Sequence, residues 1–259
     1  MLDISIVLKP KLVREEENLG VFEIENLYAG YGITLGNALR RVLLSSLPGA
    51  AVTQVKIKGV DHEFSTIPSI IEDVVEILLN IKKLRLRLHT DEPQTIMLKA
   101  KGETKASGKN IEAHTSVEVM NPELHIATLT SKKADLEIEM RVERGLGYEP
   151  VELRKKEKLS IGAIALDAFF SPVKKVSFVS ENMRVGDRTD YNKLKLVIET
   201  DGSLTPEDAL QRSARILVQH FMIVGGAEPE EVVVQYKEEE AVPEAEDAKK
   251  PAKKSKKKK

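Results

Sequence analysis

Residues 84–152 constrain the fold more than any other part of the sequence. Apolar and polar side chains alternate there in short runs, most regularly from residue 136 to residue 142. This period of two is typical of strands that bury one face, and no helical pattern separates the runs. Since a doubly wound parallel sheet needs a helix between consecutive strands, the region instead predicts a separate β-rich unit.

Residues 34–47 lie outside this unit and predict an amphipathic helix. The apolar side chains of Leu35, Leu39 and Leu43 recur at helical spacing. Thr34 precedes them and is of a type that favours the N-cap position. We therefore expect the helix to begin directly after Thr34.

A second long helix is predicted to begin after Thr205, a favourable N-cap that is followed by proline, which the first helical position tolerates well. Its apolar side chains include Leu210, Leu217 and Phe221, and its apolar stripe is wider than one sheet face requires. We therefore predict that a second copy of the chain packs on this helix. A third, shorter helix is predicted at residues 69–82.

The composition limits the chemistry that the chain can carry. The chain has no cysteine, which excludes disulfides and thiolate metal sites. Its five histidines are scattered, without the spacing of metal ligands. No apolar run is long enough to cross a membrane, and the first residues lack the pattern of a secretory signal. We therefore expect a cytoplasmic protein that holds no metal or cofactor.

A glycine-rich turn leaves a small-molecule enzyme open as an alternative. Gly30, Gly32 and Gly36 lie between a predicted strand and a predicted helix, in an arrangement similar to a dinucleotide-binding loop. Residues 61–65 add two carboxylates, an imidazole and a hydroxyl, a set suited to acid–base chemistry. However, the glycine motif is weak without the repeated strand–helix alternation of a nucleotide-binding fold. The same glycines also let a chain turn sharply into a helix.

Arg40 and Arg41 lie on the predicted polar face of the first helix, together with Asn37 and Ser45. Charged residues on such a face are often simply solvated. Arginine is also enriched in protein interfaces and among the residues that dominate binding energy. The residues alone leave both interpretations open.

Residues 236–259 predict a disordered tail. An acidic block is followed by lysines that are interrupted only by Pro, Ala and Ser, so the segment cannot bury a core. Lysine side chains attract phosphate groups without sequence preference. We expect at most weak, non-specific contact of this tail with DNA.

Several blocks of the sequence resemble the family of bacterial RNA polymerase alpha subunits. The longest is GYGITLGNALRRVLLSS at residues 30–46, which resembles the signature helix of that family. Further blocks continue the likeness in register, at residues 48–53, 62–67, 72–82, 144–148, 171–173, 188–190 and 198–207. The resemblance covers residue 1 to about residue 235.

The resemblance implies an α+β fold with two domains. Residues 1–50 and 173–235 would form a dimerisation domain with a mixed sheet and two main helices. Residues 51–172 would form a β-rich insert domain. The two helices would meet their copies in a second subunit through Leu35, Leu39, Leu43, Leu210, Leu217 and Phe221.

The resemblance also implies that the chain docks onto two large catalytic subunits. The positions that match the docking region for the beta subunit are Arg40, Arg41, His62, Glu63 and Lys82. Arg188 matches a position linked with docking of the beta-prime subunit.

Polymerisation chemistry belongs to the large subunits in this family, so the resemblance implies no catalytic residue, metal or cofactor in this chain. Members usually continue into a small helical C-terminal domain that binds upstream promoter DNA. The lysine-rich end instead leads us to expect that these DNA contacts are lost. An accessory paralogue that dimerises outside the core enzyme remains an alternative.

Overall fold

The computed structural model describes residues 9–112, 115–154 and 162–226. Within these ranges the chain forms three α-helices and fifteen β-strands. The helices are α1 (Tyr31–Ser45), α2 (Val74–Ile81) and α3 (Pro206–Val224). The strands are β1 (Lys11–Glu16), β2 (Leu19–Leu27), β3 (Pro48–Ile57), β4 (Leu86–Leu88), β5 (Gln94–Lys101), β6 (Thr104–Ser107), β7 (Ile111–Glu112), β8 (Val117–Val119), β9 (His125–Leu129), β10 (Asp135–Leu146), β11 (Tyr148–Glu149), β12 (Ala163–Ala165), β13 (Ala168–Phe169), β14 (Val173–Val185) and β15 (Arg188–Thr200). The predicted tail at residues 236–259 lies outside the described residues.

The first sheet contains four antiparallel strands in the order β1-β2-β15-β14. Side chains alternate along β15, so Leu194, Leu196 and Ile198 are buried while Lys195 on the opposite face is exposed. Helices α1 and α3 cover the buried face, and their leucines join those of β15 in one apolar cluster. Packing against the sheet and against α3 holds α1 in place, and with it the backbone of Arg40 and Arg41.

The second sheet follows the order β7-β5-β10-β3-β4-β8, and β12 also pairs with β3. Its core includes Ile96 and Ile138, and Ile77 of α2 packs into the same cluster. Two small sheets, β6-β9 and β11-β13, flank it. Strands β5 and β10 lie within residues 84–152, where the alternating pattern predicted strands. The predicted α+β class is confirmed.

The two sheets have separate apolar clusters and meet at a polar junction. The chain enters the second sheet through β3, which already starts at Pro48 and pairs only with strands of that sheet among the described residues. At the junction, Arg87 donates a hydrogen bond from Nε to the Ser203 carbonyl at 2.8 Å. The boundaries at residues 50 and 173 remain predictions, because the chain crosses the junction within continuous structure.

The N-terminus of α1 differs from the prediction. The helix begins at Tyr31, and Gly30 at the N-cap has a φ angle of 85°, a left-handed conformation that glycine adopts without a Cβ clash. Thr34 therefore lies inside the first turn, where its hydroxyl donates to the Gly30 carbonyl at 3.3 Å. The prediction that Thr34 caps the helix is wrong, because the glycine turn starts the helix earlier.

Helix α2 is shorter than predicted. It spans Val74–Ile81, and Asp73 caps it by accepting a hydrogen bond from the Glu76 N–H at 2.7 Å. Before the cap, the Ile71 N–H donates to the Thr128 carbonyl at 3.1 Å. Residues 69–73 are thus not helical, because strand β9 binds their backbone.

Helix α3 matches its predicted start. The Thr205 hydroxyl accepts a hydrogen bond from the Asp208 N–H at 3.2 Å, and Pro206 is the first helical residue. The helix ends at Val224, directly before two glycines. Local capping chemistry was sufficient to predict where the helix starts.

Candidate functional site

A glycine in helix α1 lets the helix approach the first sheet closely, while two of its arginines stay exposed. A Cβ at Gly36 would lie 2.5 Å from the ring of Phe178 on β14. With Gly36 against the sheet, Arg41 is exposed on the opposite side of the helix, and Arg40, one turn after Gly36, is exposed at the edge of the buried face. Neither guanidinium has a hydrogen-bond or ion-pair partner within residues 9–112, 115–154 and 162–226. The two charges are therefore available to a partner molecule.

The glycine-rich turn before α1 closes on the protein itself. Asn192 Oδ1 accepts hydrogen bonds from the N–H of Gly30 at 2.8 Å and the N–H of Gly32 at 3.4 Å. A phosphate in a dinucleotide-binding loop would need such backbone donors to be free. The geometry gives no support to the nucleotide-binding alternative.

His62 and Glu63 lie in an exposed loop before α2. Ser65 Oγ lies 3.2 Å from His62 Nδ1 and donates to the His62 carbonyl at 2.9 Å. In the described part of the chain, Asp61 and Glu63 make no hydrogen bond to this pair. The loop therefore does not assemble the acid–base set suggested by its composition.

Lys82, directly after α2, is held in place by an ion pair. Its Nζ lies 3.1 Å from Asp167 Oδ2, while Asp167 Oδ1 accepts a hydrogen bond from the Val151 N–H at 3.1 Å. The backbone hydrogen bond and then that from Lys82 hold the pKa of Asp167 below its usual value. Lys82 thus has a fixed position beside the small β11-β13 sheet.

Arg188 lies at the start of β15, within an aromatic and acidic surround. Its Nε and Nη2 donate to the two carboxylate oxygens of Asp190 at 3.0 and 2.6 Å. Its guanidinium carbon lies 5.1 Å from the ring centroid of Tyr28 and 5.3 Å from that of Tyr191. Hydrogen bonding to Asp190 and then to Tyr28 raises the pKa of Arg188, and its bond to Asp190 lowers the pKa of that carboxyl.

The structure separates Arg188 from the arginine pair on α1. Tyr28, which contacts Arg188, packs edge-to-face on Tyr31 with ring centroids 6.3 Å apart. Tyr31 begins α1, and Arg40 follows roughly 14 Å further along the helix axis at the usual helical rise. Arg188 therefore lies near the N-terminal end of α1, and Arg40 and Arg41 lie toward its C-terminal end.

The residues predicted for a dimer interface fall into three groups. Leu39, Leu43 and Leu210 are buried in the cluster between the helices and the first sheet. Leu35 and Leu217 are partly buried. Phe221 is 64% exposed near the C-terminal end of α3. Leu39, Leu43 and Leu210 thus pack within one protomer, whereas Phe221 is free to contact a second one.

Near the predicted positions in the second sheet, three exposed aromatic residues were not among the predicted site residues. Phe64 is 80% exposed beside His62 and Glu63, and Tyr148 and Phe169 are exposed beside the Lys82–Asp167 pair. Single aromatic residues in loops and short strands have no periodicity that would mark them. For Phe64 and Tyr148, membership of the blocks that resemble a known family was the available signal.

The described residues contain no group of three or more histidine, cysteine, aspartate or glutamate residues that could hold a metal ion. None of their helices is long and apolar enough to span a membrane. The candidate site is therefore a set of exposed cationic and aromatic side chains on α1, around α2 and at the start of β15. Such a set is suited to binding another protein.

Part of the chain matches a known family model. Residues 55–171 match the family model described as the RNA polymerase Rpb3/RpoA insert domain. These residues span most of the second sheet, from within β3 to just past β13.

Curated relatives match over most of the chain. The DNA-directed RNA polymerase subunit alpha of Carboxydothermus hydrogenoformans is 53% identical over 225 residues, which is 86% of this chain and 71% of the relative. The subunit of the same name from Moorella thermoacetica is 49% identical over 245 residues, covering 93% of this chain and 77% of the relative. That from Symbiobacterium thermophilum is 48% identical, covering 82% and 69%. With such identity over most of both sequences, this chain belongs to the family of bacterial DNA-directed RNA polymerase alpha subunits.

Proposed function

We propose that this chain acts as a homodimeric scaffold on which the beta and beta-prime subunits of RNA polymerase assemble. The observation that carries this proposal is the exposed pair Arg40 and Arg41, whose guanidinium groups have no partner among the described residues. The pair lies on a helix that is packed between the first sheet and α3, so its position is rigid. The helix backbone is therefore already ordered before a partner binds, and only the arginine side chains lose rotamer freedom on binding.

Docking of the beta subunit uses Arg40 and Arg41 together with the α2 region. His62 and Glu63 are exposed in the preceding loop, and Lys82 is fixed by Asp167. Arginine at the centre of an interface commonly dominates binding energy. We assign Arg41 the largest share, since it matches the family position that faces the beta subunit.

Docking of the beta-prime subunit uses Arg188 at the other end of α1. Its guanidinium is already paired with Asp190 and lies over two tyrosine rings. This surround holds the side chain in one orientation and offers a partner an aromatic surface. Because one homodimer meets two different partners, each copy uses a different subset of these residues.

The test is co-purification of the tagged chain with the beta subunit. For Arg41→Ala we expect at least a roughly 30-fold loss of affinity, the usual scale for an interface arginine that dominates binding. The matched control is Arg14→Ala, which removes an exposed arginine on β1. In the same assay with the beta-prime subunit, we expect Arg188→Ala to bind more weakly than the wild type.

The possible outcomes separate the proposal from its alternative. Loss of the beta subunit by Arg41→Ala, with a normal dimer and an unaffected Arg14→Ala control, supports the scaffold role. If the wild-type chain dimerises and recovers neither large subunit, the accessory-paralogue alternative replaces it. Weak DNA contact through residues 236–259 stays a prediction.

A further inference from the structure

Two exposed aromatic side chains form a pair on the small β11-β13 sheet. Tyr148 and Phe169 lie directly opposite each other in the antiparallel pairing, so their side chains are on the same face. Tyr148 is 59% exposed and Phe169 is 50% exposed. Large apolar side chains that lie exposed side by side are typical of protein interaction surfaces.

On one side, this pair adjoins Lys82. Lys82 forms its ion pair with Asp167, two residues before Phe169. The Tyr148 side chain also interacts with the Asp167 carboxyl and helps to lower its pKa. The aromatic pair and the Lys82 ammonium group are therefore joined through one carboxylate.

On its other side, the pair adjoins the C-terminal end of α1. A Cβ placed on Gly147, next to Tyr148, would lie 3.8 Å from the Ser45 carbonyl oxygen. Ser45 is one turn beyond Arg41 and donates from its hydroxyl to the Arg41 carbonyl at 2.8 Å. The aromatic pair thus lies between the two sets of residues to which beta-subunit docking is assigned.

The backbone around the pair is held in place before any partner binds. The Phe170 N–H donates to the Gly147 carbonyl at 2.7 Å, and the Ser171 hydroxyl donates to the Leu44 carbonyl at 3.3 Å. Phe170 itself is buried under the Arg154 guanidinium, 5.4 Å from the ring centroid. A surface ordered in this way loses little conformational entropy when it is covered.

We infer that Tyr148 and Phe169 form the apolar centre of the beta-docking surface, which crosses the junction between the two domains. Arg40 and Arg41 flank this centre on α1, and Lys82 flanks it on the other side. The complementary surface is apolar with carboxylates at its rim, because it must match an aromatic centre flanked by cations. This inference rests on the proposed docking of the beta subunit.

The first test measures affinity for the beta subunit. We expect the double variant Tyr148→Ser, Phe169→Ser to bind roughly 30-fold more weakly, as for other residues that dominate binding energy. Tyr148→Phe keeps the ring and should bind within about threefold of the wild type. Val179→Ser is the matched control, since Val179 is 54% exposed on β14 in the first sheet.

A second test does not require that the double variant folds. The chain has no cysteine, so Phe169→Cys and Val179→Cys each introduce a unique thiol. Excess beta subunit should slow maleimide labelling of this chain at position 169 at least tenfold and leave labelling at position 179 unchanged. Mass spectrometry of the separated chain reads the result without interference from thiols of the beta subunit.

The outcomes distinguish this inference from the proposed function. If Arg41→Ala loses the beta subunit while the double variant binds normally and position 169 stays reactive, the aromatic pair lies outside the interface and the inference fails alone. If protection at position 169 follows the chain's own concentration without beta subunit, the pair contacts a second copy and the inference is overturned. If the wild type does not bind the beta subunit, the proposed function and the inference both fail.

Discussion

The side chain of Glu72 joins two distant segments of the chain. Its carboxylate accepts hydrogen bonds from the Thr128 N–H at 2.6 Å, the Thr128 hydroxyl at 2.9 Å and His125 Nε2 at 2.8 Å. Burial raises the pKa of this carboxyl, but the hydrogen bonds from His125 and Thr128 outweigh it, and the net pKa is lowered. Glu72 therefore fastens the segment before α2 to the end of β9 as long as it is ionised.

The lowered pKa predicts how stability depends on pH. A carboxyl whose pKa is lower in the folded state contributes stability above its usual pKa of 4.5, and this is lost as the pH falls through the folded-state value. Glu72→Gln should cost about 1.5–3 kcal/mol at pH 7, the range for hydrogen bonds to a charged group. The difference from the wild type in urea unfolding should shrink as the pH is lowered below 4.5.

The control for this prediction is Glu76→Gln, since Glu76 is an exposed acid on α2. Its effect should be small at both pH values. A constant difference between Glu72→Gln and the wild type across the pH range would contradict the assigned role of the carboxylate charge.

The start of helix α3 combines several features that stabilise a helix. Thr205, Pro206 and the acidic side chains of Glu207 and Asp208 are arranged at its start as capping and dipole effects require. Its N-terminal half contains the buried residues that contact the first sheet. Capping and packing thus act on the same half of the helix.

At this element we predict the effect of removing the cap. Thr205→Ala leaves the Asp208 N–H without its hydroxyl acceptor and should destabilise the protein by about 1 kcal/mol. Thr205→Ser keeps a hydroxyl and should remain near the wild type. The check is the urea midpoint of unfolding at neutral pH; equal midpoints for Ala and Ser would mean that the cap does not stabilise α3.

Helix α3 extends beyond the apolar core of the protomer into which its first half packs. The helix has 19 residues, about 28 Å, yet its buried residues all precede residue 214. Val218, Phe221, Ile223 and Val224 are exposed large apolar residues near its end. A single protomer thus leaves the end of the apolar stripe open to water.

We predict that this end of α3 contributes to the homodimer. Phe221→Asp should shift the chain from dimer to monomer at micromolar concentration, because a buried unpaired carboxylate is strongly unfavourable at an apolar contact. Sedimentation equilibrium measures the change. Leu79→Asp, at an exposed apolar position on α2, is the matched control and should leave the mass unchanged. A dimer that persists in Phe221→Asp would assign the interface elsewhere.

Elements whose signals are local could be predicted from the sequence alone. Thr205 and Pro206 predicted the start of α3, and the alternation from residue 136 to residue 142 predicted β10, because capping and side-chain periodicity act over a few residues. The family likeness was also in the sequence, and the curated relatives confirmed it. The class of the fold followed from these signals together.

The way in which distant segments meet could not be predicted from the sequence. Asn192 occupies the amides of the glycine turn, Asp167 positions Lys82, and Tyr148 lies opposite Phe169. Each of these contacts joins residues at least 21 positions apart along the chain. No local pattern encodes such a pairing, because it depends on the register of strands and on how distant elements pack together.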